Sequence, residues 1–461
     1  MSVFSFVLIG IIVFILFLKK ESIKKKYVSL FTLTVVLEVN RISGCFVTII
    51  EKEVDYSDIA LFTTSVFAII YLFFNTKVDK KRFFISIALV VCVCVGVIHT
   101  FLEVSEVKTI VYGISWDHFA YGFEEKVPIT ITIQTFLMIT RLFLFLLNSF
   151  VVMKFEKDDI EKVLKICLTT FKIHIGYILI EFMLSRLLQL NVMYQVRDFF
   201  FGKNISATIG HFRGDTFTLL GWTREPSHCA EVLFLFVLIC VLTKNLKKQK
   251  IWVILAISFM FSTGAFTALL YVACLMVLFV IAYEVDLKNR KMIILSVFLL
   301  IGVVIAGYSI LSNDYYLGRI TDFFDELEYI FSNEYDISRG LITSSRVRLA
   351  SIIENLNLMF LRPLFGWGIG TAYAHSGLAS VLSNIGLLGT FFWIYYCLNF
   401  IDHSVQRNKK LYFFVVVIAP NFICGNLGVL YSLYVLLLLS FIKKSTLNIE
   451  KSDLVSGCDV I

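Results

Sequence analysis

Apolar runs long enough to cross about 30 Å of hydrocarbon recur along the whole of this sequence, and short clusters of basic residues separate them two by two. That alternation constrains the fold more than any single motif. The 461 residues are 58% hydrophobic and 17% charged, whereas a soluble domain runs about 45–50% apolar and about 25% charged. No stretch is long and polar enough to make a separate soluble domain. The sequence predicts an all-α, polytopic integral membrane fold in one domain, 1–461.

The charges give an expected topology. Basic clusters fall at Lys19–Lys26, Lys77–Arg82, Lys154–Lys165, Lys244–Lys250, Lys288–Lys291, Arg407–Lys410 and Lys443–Lys444. Cytoplasmic loops carry such an excess of Lys and Arg, and placing every cluster inside yields about 12–13 transmembrane helices, N-terminus outside and C-terminus inside. The expected spans are 2–18, 27–50, 59–74, 83–101, 128–153, 163–190, 229–243, 251–263, 265–283, 292–311, 377–400, 411–425 and 428–442. The first run has its basic cluster after it rather than before it, so it reads as a retained helix and not a cleaved leader. Two polar stretches then lie outside: 191–228, whose glycine-punctuated part 205–222 is a candidate re-entrant segment, and a large loop late in the chain, 312–376.

The net charge of +7 sits in these clusters, with no basic stripe interleaved with aromatics, which excludes a nucleic-acid partner. The ten cysteines lie mostly within apolar runs without a Cys-x-x-Cys pair and read as core residues. There is no Asp-x-Asp, His-Glu-x-x-His or Gly-x-Ser-x-Gly, and no P-loop lysine; neither a metal nor a cofactor is expected.

Chemistry concentrates in two polar knots. One is Gly221-Trp222-Thr223-Arg224-Glu225-Pro226-Ser227-His228, set between apolar runs. Charge so close to hydrocarbon persists only in a cavity, at headgroup level, or paired. The other comprises Arg346, Arg348, Arg362, Gly366-Trp367-Gly368-Ile369-Gly370 and His375-Ser376. On the expected topology both knots, with Arg213, lie outside. Basic residues there are mostly Arg, while those inside are mostly Lys, and Arg presents a planar fork matched to phosphate. Arg213, Arg224, Arg346, Arg348 and Arg362 therefore point to a lipid-linked phosphate or pyrophosphate; salt bridges to Asp322, Asp325, Glu326 and Glu328 are their alternative use. His375 or Glu225 can take a proton from a hydroxyl, although a lone His before a helix also serves as a cap. Gly366 and Gly368 allow a ligand close to the backbone, or simply make a tight turn. Glu38, Arg41, Arg141, Lys172, Glu181 and Arg186 fall within expected spans and are candidates by position. Glu38 and Arg41 are spaced to pair, and Arg141 has an external cavity or Glu181 within reach.

The order of these elements resembles the Wzy-type O-antigen or capsule repeat-unit polymerases and the related O-antigen ligases. The matching positions are Arg213, Gly221, Glu225-Pro226-Ser227, Ser262-Thr263-Gly264, Arg346, Pro363 to Gly370, and His375-Ser376 followed by Asn384, Gly386 and Gly389, over about residues 205–400. Where ligases carry a Gly-Val-like pair, this chain has Gly386-Leu387. The resemblance implies a metal-independent, GT-C-like glycosyltransferase of the plasma membrane with its site on the outer face. It would join glycans carried on undecaprenyl pyrophosphate, beside membrane lipid, a chain-length regulator and a flippase. The arginines would hold the leaving pyrophosphate, with His375 or Glu225 as base. A ligase, a flippase for the same lipid-linked sugar, and a non-enzymatic envelope assembly factor remain as other readings.

Cysteine labelling tests this topology. In a cysteine-depleted background, an impermeant reagent applied to intact cells is expected to modify a cysteine at Ser332 and to spare one at Ser404; the opposite pattern inverts the topology.

Overall fold

The computed structural model describes residues 2–18, 20–42, 45–49, 52–74, 79–103, 107–109, 127–190, 192–202, 212–213, 216–223, 225–243, 246, 248–265, 267–268, 271–272, 274–275, 318, 321, 324–325, 328, 344–372, 376–402 and 437. These are mostly helical. The helices are α1 (Val3–Val13, continued by a π-turn Phe14–Leu18), α2 (Ile23–Val39), α3 (Tyr56–Phe74), α4 (Lys80–Leu102) and α5 (Ile133–Val152). They continue with α6 (Lys157–Phe182, extended by a π-turn Met183–Leu187), α7 (Met193–Phe201), α8 (Pro226–Leu242), α9 (Lys250–Ser262), α10 (Ser344–Leu361) and α11 (Gly377–Asp402). Five of them, α3, α4, α5, α6 with its π-turn, and α11, are long and apolar enough to cross a membrane. The expected spans 292–311 and 411–425, most of the spans 265–283 and 428–442, and most of the first half of the expected loop, 312–343, lie outside the described residues.

Position in the bundle follows from how apolar each helix is around its circumference. Residues 229–241 of α8 are buried without exception, as befits a helix apolar on all sides. It packs against α6 and α9, while α6 also packs on α2 and α9, α3 on α2 and α5, and α4 on α11. The outer helices leave Phe62, Ile69 and Phe73 of α3 and Phe84, Ile98 and Phe101 of α4 exposed, a surface that only hydrocarbon or another apolar surface suits.

One expected span needs correction. The run 27–50 is not a single helix: α2 stops at Val39, Arg41 takes a left-handed φ of 50°, and Cys45–Ile49 (β1) pairs antiparallel with Lys52–Asp55 (β2). The Asn40 side chain caps the helix end by donating to Val36 O at 3.0 Å, and the Val47-Thr48-Ile49 run favours the pleated conformation.

The irregular turn between α10 and α11 is built into a break in α11. Gly386 sits at φ 67°, ψ −177° in the middle of that helix, a conformation essentially confined to glycine. The break frees four backbone groups and the turn takes them up. Trp367 N donates to Ser383 O at 2.9 Å and Gly368 N to Asn384 O at 2.8 Å, while Pro363 O and Leu364 O accept from Leu387 N and Leu388 N at 2.7 and 3.1 Å. A Cβ on Gly386 would overlap Leu364 O, and one on Gly366 would overlap Ser383 O.

Gly386→Ala is expected to destabilise the protein by about 2–5 kcal/mol, the sum of left-handed strain and overpacking. Gly176, in α6 with nothing within 4 Å of an added Cβ, is the control; Gly176→Ala is expected to stabilise by up to about 1 kcal/mol. Apparent melting temperatures of the purified variants in detergent check both.

Candidate functional site

The C-terminal ends of α2, α4 and α6 and the N-terminal ends of α3, α5 and α8 meet at one end of the bundle. Polar contacts link them. Arg141 of α5 forks Asp58 of α3 with Nε and Nη2, and its Nη2 lies 3.7 Å from Asp55. Arg41, just past α2, forks Glu231 of α8 from Nε and Nη2 at 3.2 and 3.0 Å. Arg362 binds Glu103 and donates to Thr100 Oγ1 at 2.8 Å, both at the end of α4. Gly370 packs directly on Gln134 and Thr135 at the start of α5.

The first knot is approached by an irregular segment, 218–223, that is buried. Backbone polar groups in such a place need protein partners, and side chains from α6 and α7 supply several of them. Glu181 Oε2 accepts from Gly221 N at 2.7 Å and Leu220 N at 3.3 Å. Arg197 of α7 donates from Nη1 to Gly221 O at 2.9 Å and lies 3.8 Å from Glu181 Oε1. Trp222 Nε1 donates to Asn40 O at 2.9 Å. His174 stacks on the Trp222 ring at 4.3 Å; neither of its nitrogens has a hydrogen-bond partner among the described residues, so its flat face is what the site uses. Gly221 adopts φ 58°, and a Cβ there would overlap His174 Nε2. Glycine is required at that point by both backbone and space.

Beyond this segment, Glu225 occupies the N-cap position of α8 with Pro226 following it. Its Oε2 accepts from Ser227 Oγ at 3.0 Å, and its carbonyl from Thr223 Oγ1, also at 3.0 Å.

The second knot is organised by Trp367 and Asn384. Trp367 is buried, donating from Nε1 to Leu358 O at 2.8 Å, and the Arg362 guanidinium lies 3.7 Å from its ring centroid. Burial pulls the Arg362 guanidinium down from its usual value and Glu103 opposes the shift; an arginine remains cationic under both. Asn384 Oδ1 accepts from Thr371 N and Ala372 N at 3.1 and 3.2 Å, while its Nδ2 donates to Ala372 O and Ser380 O at 2.9 and 2.7 Å. It thereby holds the chain on both sides of 373–375.

The sequence-derived residues divide as follows. Glu225 and Arg362 are placed in full, at the same end of the bundle. Gly366 and Gly368 are placed too, and their faces meet Ser383–Gly386 and Val97 rather than open space; backbone packing explains them. Arg213 is placed in a short hairpin, Phe212–Arg213 against Thr216–Phe217, and Arg346 and Arg348 on α10, with their side chains outside the described residues. Arg224 and His375 lie outside the described residues altogether. Arg141 reaches Asp58, not Glu181, and Arg41 turns to Glu231 rather than resting on Glu38 alone. Sequence reasoning missed Glu231, although a lone carboxylate in the run 229–241 marks it. It also missed Asp58, visible only as an acid in the first turn of an apolar helix, and Asn40, for which nothing local gives a signal. Among the described residues no group of three or more His, Cys, Asp or Glu is placed to hold a metal ion. Compared with family models and with curated proteins, the sequence matches none.

Proposed function

We propose that this chain is a polymerase that joins undecaprenyl-pyrophosphate-linked oligosaccharide repeat units at the outer face of the plasma membrane, within a GT-C-like fold of about 12–13 spans. The observation that carries the reading is one-sidedness. The segments flanking both polar knots, and the ion pairs Arg41–Glu231, Arg141–Asp58 and Arg362–Glu103, gather at one end of the bundle; the opposite end carries Lys24 with Glu156 and Asp159, and Arg82 with Asp79. Transfer between two lipid-linked substrates on one leaflet needs one polar face.

Arg41, Arg141, Arg197 and Arg362 at that end already have carboxylate partners, so the leaving pyrophosphate falls to Arg213, Arg224, Arg346 and Arg348. Arg362, engaged by Glu103, Thr100 and Trp367, shapes the turn that carries His375. In the reaction the acceptor hydroxyl attacks the anomeric carbon of the donor glycan and gives its proton to His375 or Glu225. The anomeric carbon–oxygen bond to pyrophosphate breaks, and the arginines stabilise the charge as it develops.

A carrier is the competing class, and the interrupted α11 is the observation that favours it, because transporters bind ions at unwound helices. Here the freed, buried carbonyls of Ser383 and Asn384 are bonded by Trp367 N and Gly368 N. The break is packed with protein, which weighs against an ion-binding role there.

Purified protein given lipid-linked repeat unit, without nucleotide sugar and with chelator, is expected to yield polymer. His375→Ala should slow it by about 10²–10⁴-fold at normal protein levels, with Glu225→Gln as the comparison. Arg→Lys at Arg213, Arg224, Arg346 and Arg348 should impair chain growth, since a point charge cannot replace the fork. Transfer only to a lipid A core acceptor assigns a ligase. Product that appears only on adding a nucleotide sugar overturns the reading.

A further inference from the structure

The geometry points to Glu181 and Arg197 as positioning residues for the 220–223 segment and, through it, Glu225, a role that rests on the polymerase reading. They hold one peptide unit from both sides. Glu181 Oε2 takes the N–H groups of Leu220 and Gly221, and Arg197 Nη1 takes the carbonyl of Gly221. Both side chains are fully buried. Hydrogen bonds from a charged group to backbone are about twice as strong as neutral ones, and in a dry interior they admit little motion.

The grip is transmitted along the chain. Only Trp222 and Thr223 separate Gly221 from Arg224. Trp222 is pinned by Asn40 and by the His174 ring. Thr223 Oγ1 lies 2.7 Å from Leu220 O and 3.0 Å from Glu225 O and shares its one proton between them, and Glu225 O accepts the first bond of α8 from Cys229 N. The clamp, the loop and the helix start therefore form one hydrogen-bonded unit. A buried ion pair is a poor way to gain stability alone, since apolar residues of similar volume often serve as well or better. An apolar pair, however, has nothing to offer the Gly221 N–H and C=O. The pair suits a site where the loop must stand in one place.

The test uses the full-length protein in lipid nanodiscs, with hydrogen exchange over 218–223 and steady-state kinetics on lipid-linked repeat unit. For Glu181→Ala, exchange at Leu220 and Gly221 is expected to rise at least about tenfold, and kcat to fall about 10–100-fold with KM within about twofold, as for a misplaced catalytic group. Glu181→Gln keeps an oxygen for both N–H groups; it lowers stability by removing the counter-charge of Arg197, but in the folded fraction is expected to hold kcat within about threefold of wild type. Arg197→Lys retains the buried charge and serves if Glu181→Ala does not fold; it should lower kcat and leave KM. Raised exchange with unchanged kcat, unchanged exchange in Glu181→Ala, or Glu181→Gln as impaired as Glu181→Ala each overturns the positioning role. A wild type that makes no polymer overturns the polymerase reading instead, and the exchange data still decide whether the clamp exists.

Discussion

Irregular backbone inside an apolar bundle has no water to bond with, and an unsatisfied amide there costs several kcal/mol. Two segments of this chain accept that constraint, 218–223 and 363–372, and much of the polar architecture around them answers it. The first is met by side chains: Glu181, Arg197 and Thr223 take its peptide groups, and Asn40 holds its tryptophan. The second is met mainly by backbone. A helix is broken at Gly386 so that its loose carbonyls and amides face those of the turn, and Asn384 ties off the remainder. The solutions differ because the neighbours differ. The 218–223 loop lies against α6 and α7, continuous at the points of contact, so only side chains can reach it.

The same economy governs the arginines. Arg41, Arg141, Arg197 and Arg362 each face a carboxylate from another element, so none stands as an uncompensated charge near hydrocarbon. Each pair also joins segments distant in sequence: 41 to 231, 141 to 58, 197 to 181, 362 to 103. Breaking the fully buried Arg197–Glu181 pair on one side strands its partner, at a cost of about 3–5 kcal/mol; the half-exposed Glu103 costs less to strand. These pairs thus register helix ends against one another.

Much of this was legible in the sequence. Apolar runs bounded by lysines located α1, α3, α4, α5, α6, α8, α9 and α11 to within a few residues, because burying or lipid-facing a whole helix leaves an unmistakable composition. The hairpin Cys45–Asp55 was not legible, since β-branched residues at the end of an apolar run fit a helix and a strand alike. Single intramembrane charges were visible, but their partners were not. Glu38 and Arg41 satisfy the helical spacing rule, yet α2 ends between them, and Arg41 with its φ of 50° is no longer on the helix face.

The three alternate glycines show why a motif's chemistry cannot be read without its neighbours. Gly366, Gly368 and Gly370 have φ of 66°, 100° and 82°, and the same residues would suit a loop wrapped around a phosphate. In this fold a Cβ on each would meet protein: Ser383 O and Asn384, Val97 of α4, and Gln134–Thr135 of α5 respectively. The turn is thus the junction of three helices, and its glycines bring α4, α5 and α11 within backbone distance. By locking residues 371–372 to Asn384 and Ser380 to Asn384, the junction determines where the chain leaves and re-enters around His375. Substituting Gly368, which touches α4 and no reacting group, should therefore disturb that segment as well as the packing beneath it.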